Sequence, residues 1–150
     1  MSIRAARLTD HSAIEVLLGQ LGYEDTGRFL FSKLERMLSD PDECLLVYEG
    51  EAGASGGEAP GGILAFISVH FIPQIALPGD FARISYFSVD DAARGQGIGR
   101  EMEEYVVALA RERQCDRIEV HCHWRRGDAH RFYARQGFEE APKYLIKRLG

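Results

Sequence analysis

The segment ISYFSVDDAARGQGIGRE, residues 84–101, constrains the fold of this chain more than any other. An apolar run typical of a β-strand leads into three alternate glycines, Gly95, Gly97 and Gly99. An amphipathic helix follows, with apolar residues at helical spacing over residues 98–110. The first turn of a helix has unpaired N–H groups and a partial positive charge, and glycines there allow positive φ angles and close approach to the backbone. The segment therefore predicts a strand–turn–helix unit that binds a phosphate group.

Two common phosphate-binding motifs do not match this segment. The dinucleotide fingerprint G-x-G-x-x-G, begun at Gly95, requires a third glycine where the chain has Arg100. The P-loop requires Gly-Lys followed by serine or threonine, and the segment has no such sequence. The spacing present is Arg-x-x-Gly-x-Gly, formed by Arg94, Gly97 and Gly99. An ordinary nucleotide-binding domain is therefore disfavoured.

A second motif, AHRFYARQGF, occupies residues 129–138. The two motifs resemble those of the GNAT superfamily of N-acetyltransferases: the first is similar to its acyl-CoA signature, and the second to its A-x-x-F-Y-x-x-x-G-F element. The resemblance covers nearly the whole chain and implies a single domain, residues 1–150, of mixed α/β class. It also implies a mostly antiparallel sheet, flanked by helices, that splays after residues 82–90 into a V-shaped cofactor wedge.

The resemblance implies an enzyme that transfers an acetyl group from acetyl-CoA to a primary amine, by direct attack on the thioester and without a metal. Tyr133 matches the family tyrosine that can protonate the departing thiolate. The backbone of Phe87, Ser88 and Val89 is expected to pair with the pantetheine arm. The residues expected around the CoA pyrophosphate are Arg94, Gly95, Gln96, Gly97, Ile98, Gly99 and Arg100.

The general base is left open by the sequence. Related sequences often carry a glutamate on the strand before the glycines or on the strand after the helix. The first strand has no glutamate here, and Ser85 is its only buried-looking polar residue near the middle. On the second strand, Glu119, His121 and His123 alternate onto one face. His121 is the candidate base because imidazole titrates near neutral pH, with Glu119 or bound water as alternatives.

One family position differs in this chain. Many relatives have an asparagine seven residues before the tyrosine, where this chain has Arg126. Together with the missing strand glutamate, this difference keeps a second function open, a non-catalytic module that binds or senses acyl-CoA. The acceptor is not readable from the motifs and is a small-molecule or peptide amine; Glu24 and Asp25 are acids that can attract a cationic amine.

Composition limits the compartment and the partners. The net charge of −5 disfavours nonspecific nucleic-acid binding, and no apolar run approaches the roughly 20 residues that span a bilayer. Three cysteines without C-x-x-C spacing disfavour a disulfide framework, and Cys122 faces away from His121 and His123 on a strand, which disfavours a zinc site. We therefore expect a cytoplasmic protein with neither nucleic-acid nor membrane partners. The resemblance also allows a homodimer.

Hydrophobic periodicity predicts the element order β-α-α-β-β-β-α-β-α-β. Thr26 is expected to cap the second helix, and the glycine-rich residues 50–62 are expected to form a hairpin turn. The predicted strands are residues 2–7, 44–49, 63–72, 82–90, 116–124 and 143–149, and the predicted helices are residues 9–22, 27–38, 98–113 and 127–137.

Overall fold

The structure is a computed structural model that describes residues 2–50, 59–121, 127–141 and 144–150. The strands are β1 (Ser2–Ala5), β2 (Glu43–Glu49), β3 (Ile63–Ile72), β4 (Phe81–Val89) and β5 (Arg117–Val120). The helices are α1 (His11–Gln20), α2 (Leu30–Leu38), α3 (Ile98–Glu112) and α4 (Gly127–Arg135). Within these described ranges, no helix is long and apolar enough to cross a bilayer.

The five strands form one sheet in the order β1-β2-β3-β4-β5. Strands β1 to β4 pair antiparallel, whereas β5 pairs parallel with β4. A parallel pair cannot be joined by a tight hairpin, and the connection from β4 to β5 accordingly contains the glycine turn and α3. This mixed sheet with flanking helices confirms the predicted fold class.

The helices bury both faces of the sheet. On one face, Met102 and Val106 of α3 are fully buried in a core that includes Ile67 of β3. On the other face, Leu17 of α1 is fully buried in a core that includes Val47 of β2, and α2 joins this second core. Each buried aliphatic side chain of this size stabilises the fold by about 1.5–3 kcal/mol. The two cores hold β3 and β4 rigidly in the centre of the molecule.

Strands β2, β3 and β4 and helix α3 confirm their predictions to within one residue at each end. The prediction that Thr26 caps the second helix was wrong, because α2 begins at Leu30 with Phe29 at its N-cap position. Thr26 instead begins a short 3-10 turn, in which its side chain is buried. The chain therefore makes an additional bend before α2 starts.

The C-terminal part of the chain departs most from prediction. Strand β5 ends at Val120, and residues 122–126 lie outside the described residues, as do residues 51–58 of the predicted hairpin turn. The strand predicted at residues 143–149 was wrong, since residues 144–150 carry no strand. Leu145 and Leu149 are 94% and 93% exposed there. The segment has strand-forming residues, but among the described residues it has no partner strand with which to pair.

The sheet opens between β4 and β5. Residues Phe81–Ile84 of β4 pair with β5, and Ile84 opposite Val120 is the last pair. Strand β4 continues to Val89 while remaining paired with β3 on its other side. A bulge at Ser85 interrupts that second ladder, because Val69 faces Ile84 and Ser68 faces Tyr86. A bulge bends and twists a strand, so this one changes the course of β4 at the residue where the described pairing with β5 ends. The predicted wedge is confirmed.

Asp90 fastens the end of β4 to the turn that follows. Its side chain is fully buried and accepts hydrogen bonds from the backbone N–H groups of Ala92 (3.0 Å) and Ala59 (3.1 Å). Its own N–H donates to the carbonyl of Leu64 at 2.8 Å. The backbone and carboxylate of Asp90 thus connect β4 to β3, to the segment before β3 and to the turn after β4.

We predict that Asp90→Ala lowers the free energy of unfolding by about 2–4 kcal/mol, because two N–H groups lose their acceptors and at least one of them is buried. Urea denaturation of the purified variant measures this change. Asp91→Ala is the matched control, since Asp91 is exposed and its carboxylate forms only a surface ion pair with Arg94; it should change stability by less than about 1 kcal/mol. Equal effects of the two substitutions would show that Asp90 does not fasten the turn.

Candidate active site

A cleft of about 790 Å³ lies between the open half of β4, the start of α3 and helix α4. It is lined by Phe87, Ser88 and Val89 and by every residue of 94–100 except Gln96. Tyr133 lines the same cleft from α4. The structure therefore brings together nearly all the residues that the sequence predicts for cofactor binding and the tyrosine predicted as the acid. Eight further residues line the cleft that the sequence analysis did not predict for it: Gln20, Leu21, Ala93, Asp128, Ala129, Phe132, Arg135 and Gln136.

The three glycines of the turn have two different physical roles. Gly95 and Gly97 have φ angles of +82° and +80°, a left-handed conformation that other residues rarely adopt, and a Cβ on either would meet no atom within 4 Å. Gly99 has an ordinary φ, but its Cβ would lie 3.2 Å from the ring of Phe132. The first two glycines are thus required by backbone conformation, and the third by close packing of α3 against α4.

The start of α3 suits a diphosphate ligand. Gly97 is the N-cap residue of this 15-residue helix, and the first N–H groups of a helix have no acceptor within the helix itself. The aligned peptide dipoles add a partial positive charge at the same point. Arg94, Arg100 and Arg135 line the cleft beside it. Exposed Asp91 and Glu104 hold Arg94 and Arg100 at 3.1 Å and 3.0 Å, which leaves both guanidinium groups at the mouth of the cleft.

The open half of β4 presents a strand edge to the cleft. Past Ile84, no residue of β5 pairs with β4 in the described part of the chain. Ser88 is buried, and its hydroxyl donates to the carbonyl of Leu17 at 3.0 Å, so α1 fixes this half of the strand from the far side. An extended ligand can add to such an edge as a further strand does, through backbone hydrogen bonds.

Tyr133 is held in place by aromatic neighbours. Its half-buried ring makes edge-to-face contacts with Phe132, at a centroid distance of 5.2 Å, and with Phe138, at 5.3 Å. Phe132 in turn contacts Phe87 of β4 at 5.9 Å. Edge-to-face pairs of this kind contribute about 0.5–1.5 kcal/mol each beyond the area that they bury. The aromatic cluster therefore fixes α4, and with it the tyrosine, against the open strand.

The structure does not bring His121 into the cleft. His121 is exposed, follows the last residue of β5, and stacks on the ring of Tyr144 at 4.5 Å with an interplanar angle of 4°. It is not among the residues that line the cleft. Cys122, His123 and Arg126 lie outside the described residues. Among the residues that are described, no group of three His, Cys, Asp or Glu side chains could hold a metal ion.

Glu119 is poorly suited to act as a base. Burial would raise the pKa of its carboxyl, but hydrogen bonds from Arg83 at 3.1 Å and from Arg117 at 2.8 Å outweigh burial and hold the pKa below its ordinary value. A carboxylate whose pKa is lowered in this way has little tendency to take a proton near neutral pH. Arg117 lies on the same strand as Glu119, whereas Arg83 lies on β4. The ion pair between Glu119 and Arg83 therefore links β5 to β4.

Taken together, a glycine turn at a helix N-terminus, a strand edge with no partner among the described residues beyond Ile84, and a tyrosine meet in one cleft. The sequence model of the acetyltransferase (GNAT) family matches residues 11–138. The chain therefore belongs to the acetyltransferase (GNAT) family, whose activity is acyl transfer from acyl-CoA. No curated protein matches this sequence.

Solved structures show the same fold over nearly the full length of each chain. Glucosamine-6-phosphate N-acetyltransferase from Arabidopsis thaliana is 22% identical, with a TM-score of 0.81 and coverage of 99% of this chain and 98% of that one. A GNAT family acetyltransferase from Staphylococcus aureus is 18% identical, with a TM-score of 0.76 and coverage of 99% and 100%. A transcriptional regulator from Bacillus halodurans C-125 is 25% identical, with a TM-score of 0.81 and coverage of 99% of each chain.

Proposed function

We propose that this protein is an N-acetyltransferase that transfers the acetyl group of acetyl-CoA to a primary amine. The observation that carries the proposal is the cleft itself, in which the glycine turn, the unpaired half of β4 and Tyr133 face one another. In this proposal the N–H groups at the start of α3 bind the pyrophosphate, with Gly95, Gln96, Gly97, Ile98, Gly99 and Arg100 supplying the backbone.

The remaining parts of the cleft orient the thioester. Phe87, Ser88 and Val89 offer their backbone to the pantetheine arm, which places the reactive end near the closed end of the wedge. Acetyl-CoA supplies an activated acyl carbon, so the protein need only position an amine against it, receive protons and stabilise charge. Tyr133 is proposed to donate its hydroxyl proton to the sulfur as the carbon–sulfur bond breaks.

The proposed acceptor is a primary amine, carried either by a small molecule or by a peptide. The name of the Arabidopsis enzyme specifies glucosamine-6-phosphate as its acceptor. At 22% identity, this similarity supports only the fold of the present chain. In this proposal the acceptor approaches from the side of the sheet that packs against α1 and α2, opposite the core formed with α3.

We also propose a cytoplasmic location. Cys44 and Cys115 are free thiols in partly buried positions, and burial raises the pKa of both. Two unpaired thiols of this kind are typical of proteins from a reducing compartment. The net charge of −5 supports the absence of nucleic-acid partners, and a homodimer remains part of the proposal.

Release of free thiol from acetyl-CoA tests the proposed activity. With a mixed panel of small amines and amine-bearing peptides, we expect at least one class to accelerate thiol release over the amine-free rate by about 100-fold or more. Mass spectrometry of the acceptor should show N-acetylation, and calorimetry should show CoA binding. Absence of CoA binding would contradict the assignment of the cleft.

A second function is retained for the case of CoA binding without transfer. The 25% identical protein from Bacillus halodurans carries the name of a transcriptional regulator, and this chain has Arg126 where many relatives have asparagine. Both observations suit a module that binds acyl-CoA as a signal. Tight CoA binding, with no thiol release on any amine of the panel, favours this second function.

A further inference from the structure

A row of polar side chains crosses the sheet at the closed end of the wedge. Glu43 of β2 faces His70 of β3, His70 faces Arg83 of β4, and Arg83 faces Glu119 of β5. Residues alternate between the faces of a strand, and Ile67, Val69 and Phe71 point towards α3. The row therefore lies on the opposite face, which α1 and α2 cover.

Two residues of this row, Glu43 and His70, form a continuous chain of contacts with Ser85 of β4. Nε2 of His70 lies 2.6 Å from the hydroxyl oxygen of Ser85, and Nδ1 of the same ring contacts Oε2 of Glu43. The Ser85 hydroxyl also lies 3.4 Å from the carbonyl oxygen of Ser68, to which it can donate. The hydroxyl of Ser85 can therefore donate either to Ser68 or to His70. The Glu43 carboxylate, facing Nδ1, favours the tautomer in which Nε2 is free to accept a proton.

Ser85 lies where the described pairing between β4 and β5 ends. It is the bulged residue of β4 and the first residue beyond the last pair with β5. The cofactor cleft follows the strand from Phe87 to the glycine turn, so the closed end of the wedge lies in the direction of Ser85. Its neighbour Tyr86 is 41% exposed and makes an edge-to-face contact with Tyr23, so solvent reaches the strand beside Ser85.

Among the described residues, the other charged pair of the row is already engaged. Arg83 and Glu119 are bound to each other, and the pKa of Glu119 is held low. His70 and Glu43 are 26% and 25% exposed, so their contact is partly shielded from water. Ser68 is 3% exposed, and its hydroxyl has no hydrogen-bond partner among the described residues, so its oxygen can help to bind an amine beside Ser85.

We infer that Ser85, His70 and Glu43 form a proton relay that deprotonates the acceptor amine; this inference rests on the proposed function. The ammonium group gives one proton to the oxygen of Ser85 while the hydroxyl proton of Ser85 passes to Nε2 of His70. The resulting imidazolium is stabilised by Glu43 and later releases its proton to solvent. The freed nitrogen lone pair then forms the carbon–nitrogen bond. The carbon–sulfur bond breaks, and the sulfur leaves with the bonding electron pair and takes the hydroxyl proton of Tyr133. The nitrogen then loses its second proton, which restores the hydroxyl of Tyr133.

The relay is tested with Ser85→Ala and His70→Gln in the thiol-release assay, using the amine that the wild-type protein accepts. Each substitution should lower kcat by about 100-fold, the lower end of the range for acid–base catalysis, while KM for acetyl-CoA changes less than about threefold. Ser85→Thr keeps a hydroxyl and should recover most of the rate that Ser85→Ala loses. His11→Gln is the matched control, because His11 lies on α1 and contacts Phe31 rather than the row.

A weakly basic analogue of the accepted amine, unprotonated at neutral pH, separates proton transfer from simple structural support. If His70 acts in the relay, the defect of His70→Gln should shrink to less than about 10-fold with this analogue, since little deprotonation remains to be done. An undiminished defect would overturn the relay, and so would a normal kcat in both variants. An acetyl group found covalently on Ser85 would also overturn it, in favour of a nucleophilic serine. Failure of the wild-type protein to acetylate any amine would overturn the proposed function itself, and the relay with it.

Discussion

Replacing Gly97 with valine should weaken CoA binding by about 10- to 100-fold. The φ angle of +80° at this position is strained for any side chain and most of all for a β-branched one, with a cost of about 1–3 kcal/mol. Gly97 is the N-cap residue of α3, so relief of that strain must rotate the N–H groups that the ligand needs. Titration calorimetry with CoA measures the change directly.

The matched control for Gly97→Val is Gly19→Val in α1. Gly19 has a helical conformation, and its added side chain would meet nothing within 4 Å. We expect CoA affinity within about twofold of the wild-type value for this control, because valine in a helix costs well under 1 kcal/mol relative to alanine. Thermal denaturation of both variants checks that they are folded. Unchanged CoA affinity in Gly97→Val would show that the pyrophosphate does not bind at the start of α3.

Tyr133→Phe should lower kcat by about 100-fold and leave CoA affinity within about threefold. The substitution removes one oxygen and keeps the ring that contacts Phe132 and Phe138, so the aromatic cluster and α4 keep their packing. The lost rate corresponds to the absence of a proton donor for the departing thiolate. Steady-state thiol release together with CoA titration separates the two quantities.

Tyr105→Phe is the control for this second substitution. Tyr105 belongs to α3, is 40% exposed and lies outside the cleft. Its kcat should match that of the wild-type protein. Should Tyr133→Phe retain full activity as well, Tyr133 is a packing residue of the cluster, and the acid is a different group or a water molecule.

Local patterns in the sequence predict the strand–turn–helix unit, and the family resemblance adds the cofactor residues to it. The glycines, the strand before them and the helix after them are contiguous, so hydrophobic periodicity and turn chemistry alone predict their arrangement. Arg135 was missed because a basic residue in the last turn of a helix is equally well explained by the helix dipole. Only the packing of α4 against the wedge shows that it reaches the cleft.

The acceptor half depends on the register between strands, which the sequence does not reveal. Glu43, His70 and Ser85 are separated by 27 and 15 positions, and each is an ordinary polar residue in its own strand. Sequence reasoning singled out Ser85, but it could not place a bulge there, since a shift of one residue reverses the face of every side chain. Sequence reasoning favoured His121 as the base from strand alternation and its distance from Tyr133, but β5 ends at Val120 and His121 does not line the cleft.

Among the described residues, the second half of β4 has no partner on the β5 side, and this also affects the protein without its cosubstrate. A free strand edge is a template for pairing with any other extended chain, including the same edge of a second molecule. A ligand that fills the wedge covers this edge and stabilises the folded state, by about 2.7 kcal/mol at a concentration of 100 times its Kd. Under the proposed function, a CoA compound is therefore expected to stabilise the folded protein as well as to serve as its cosubstrate.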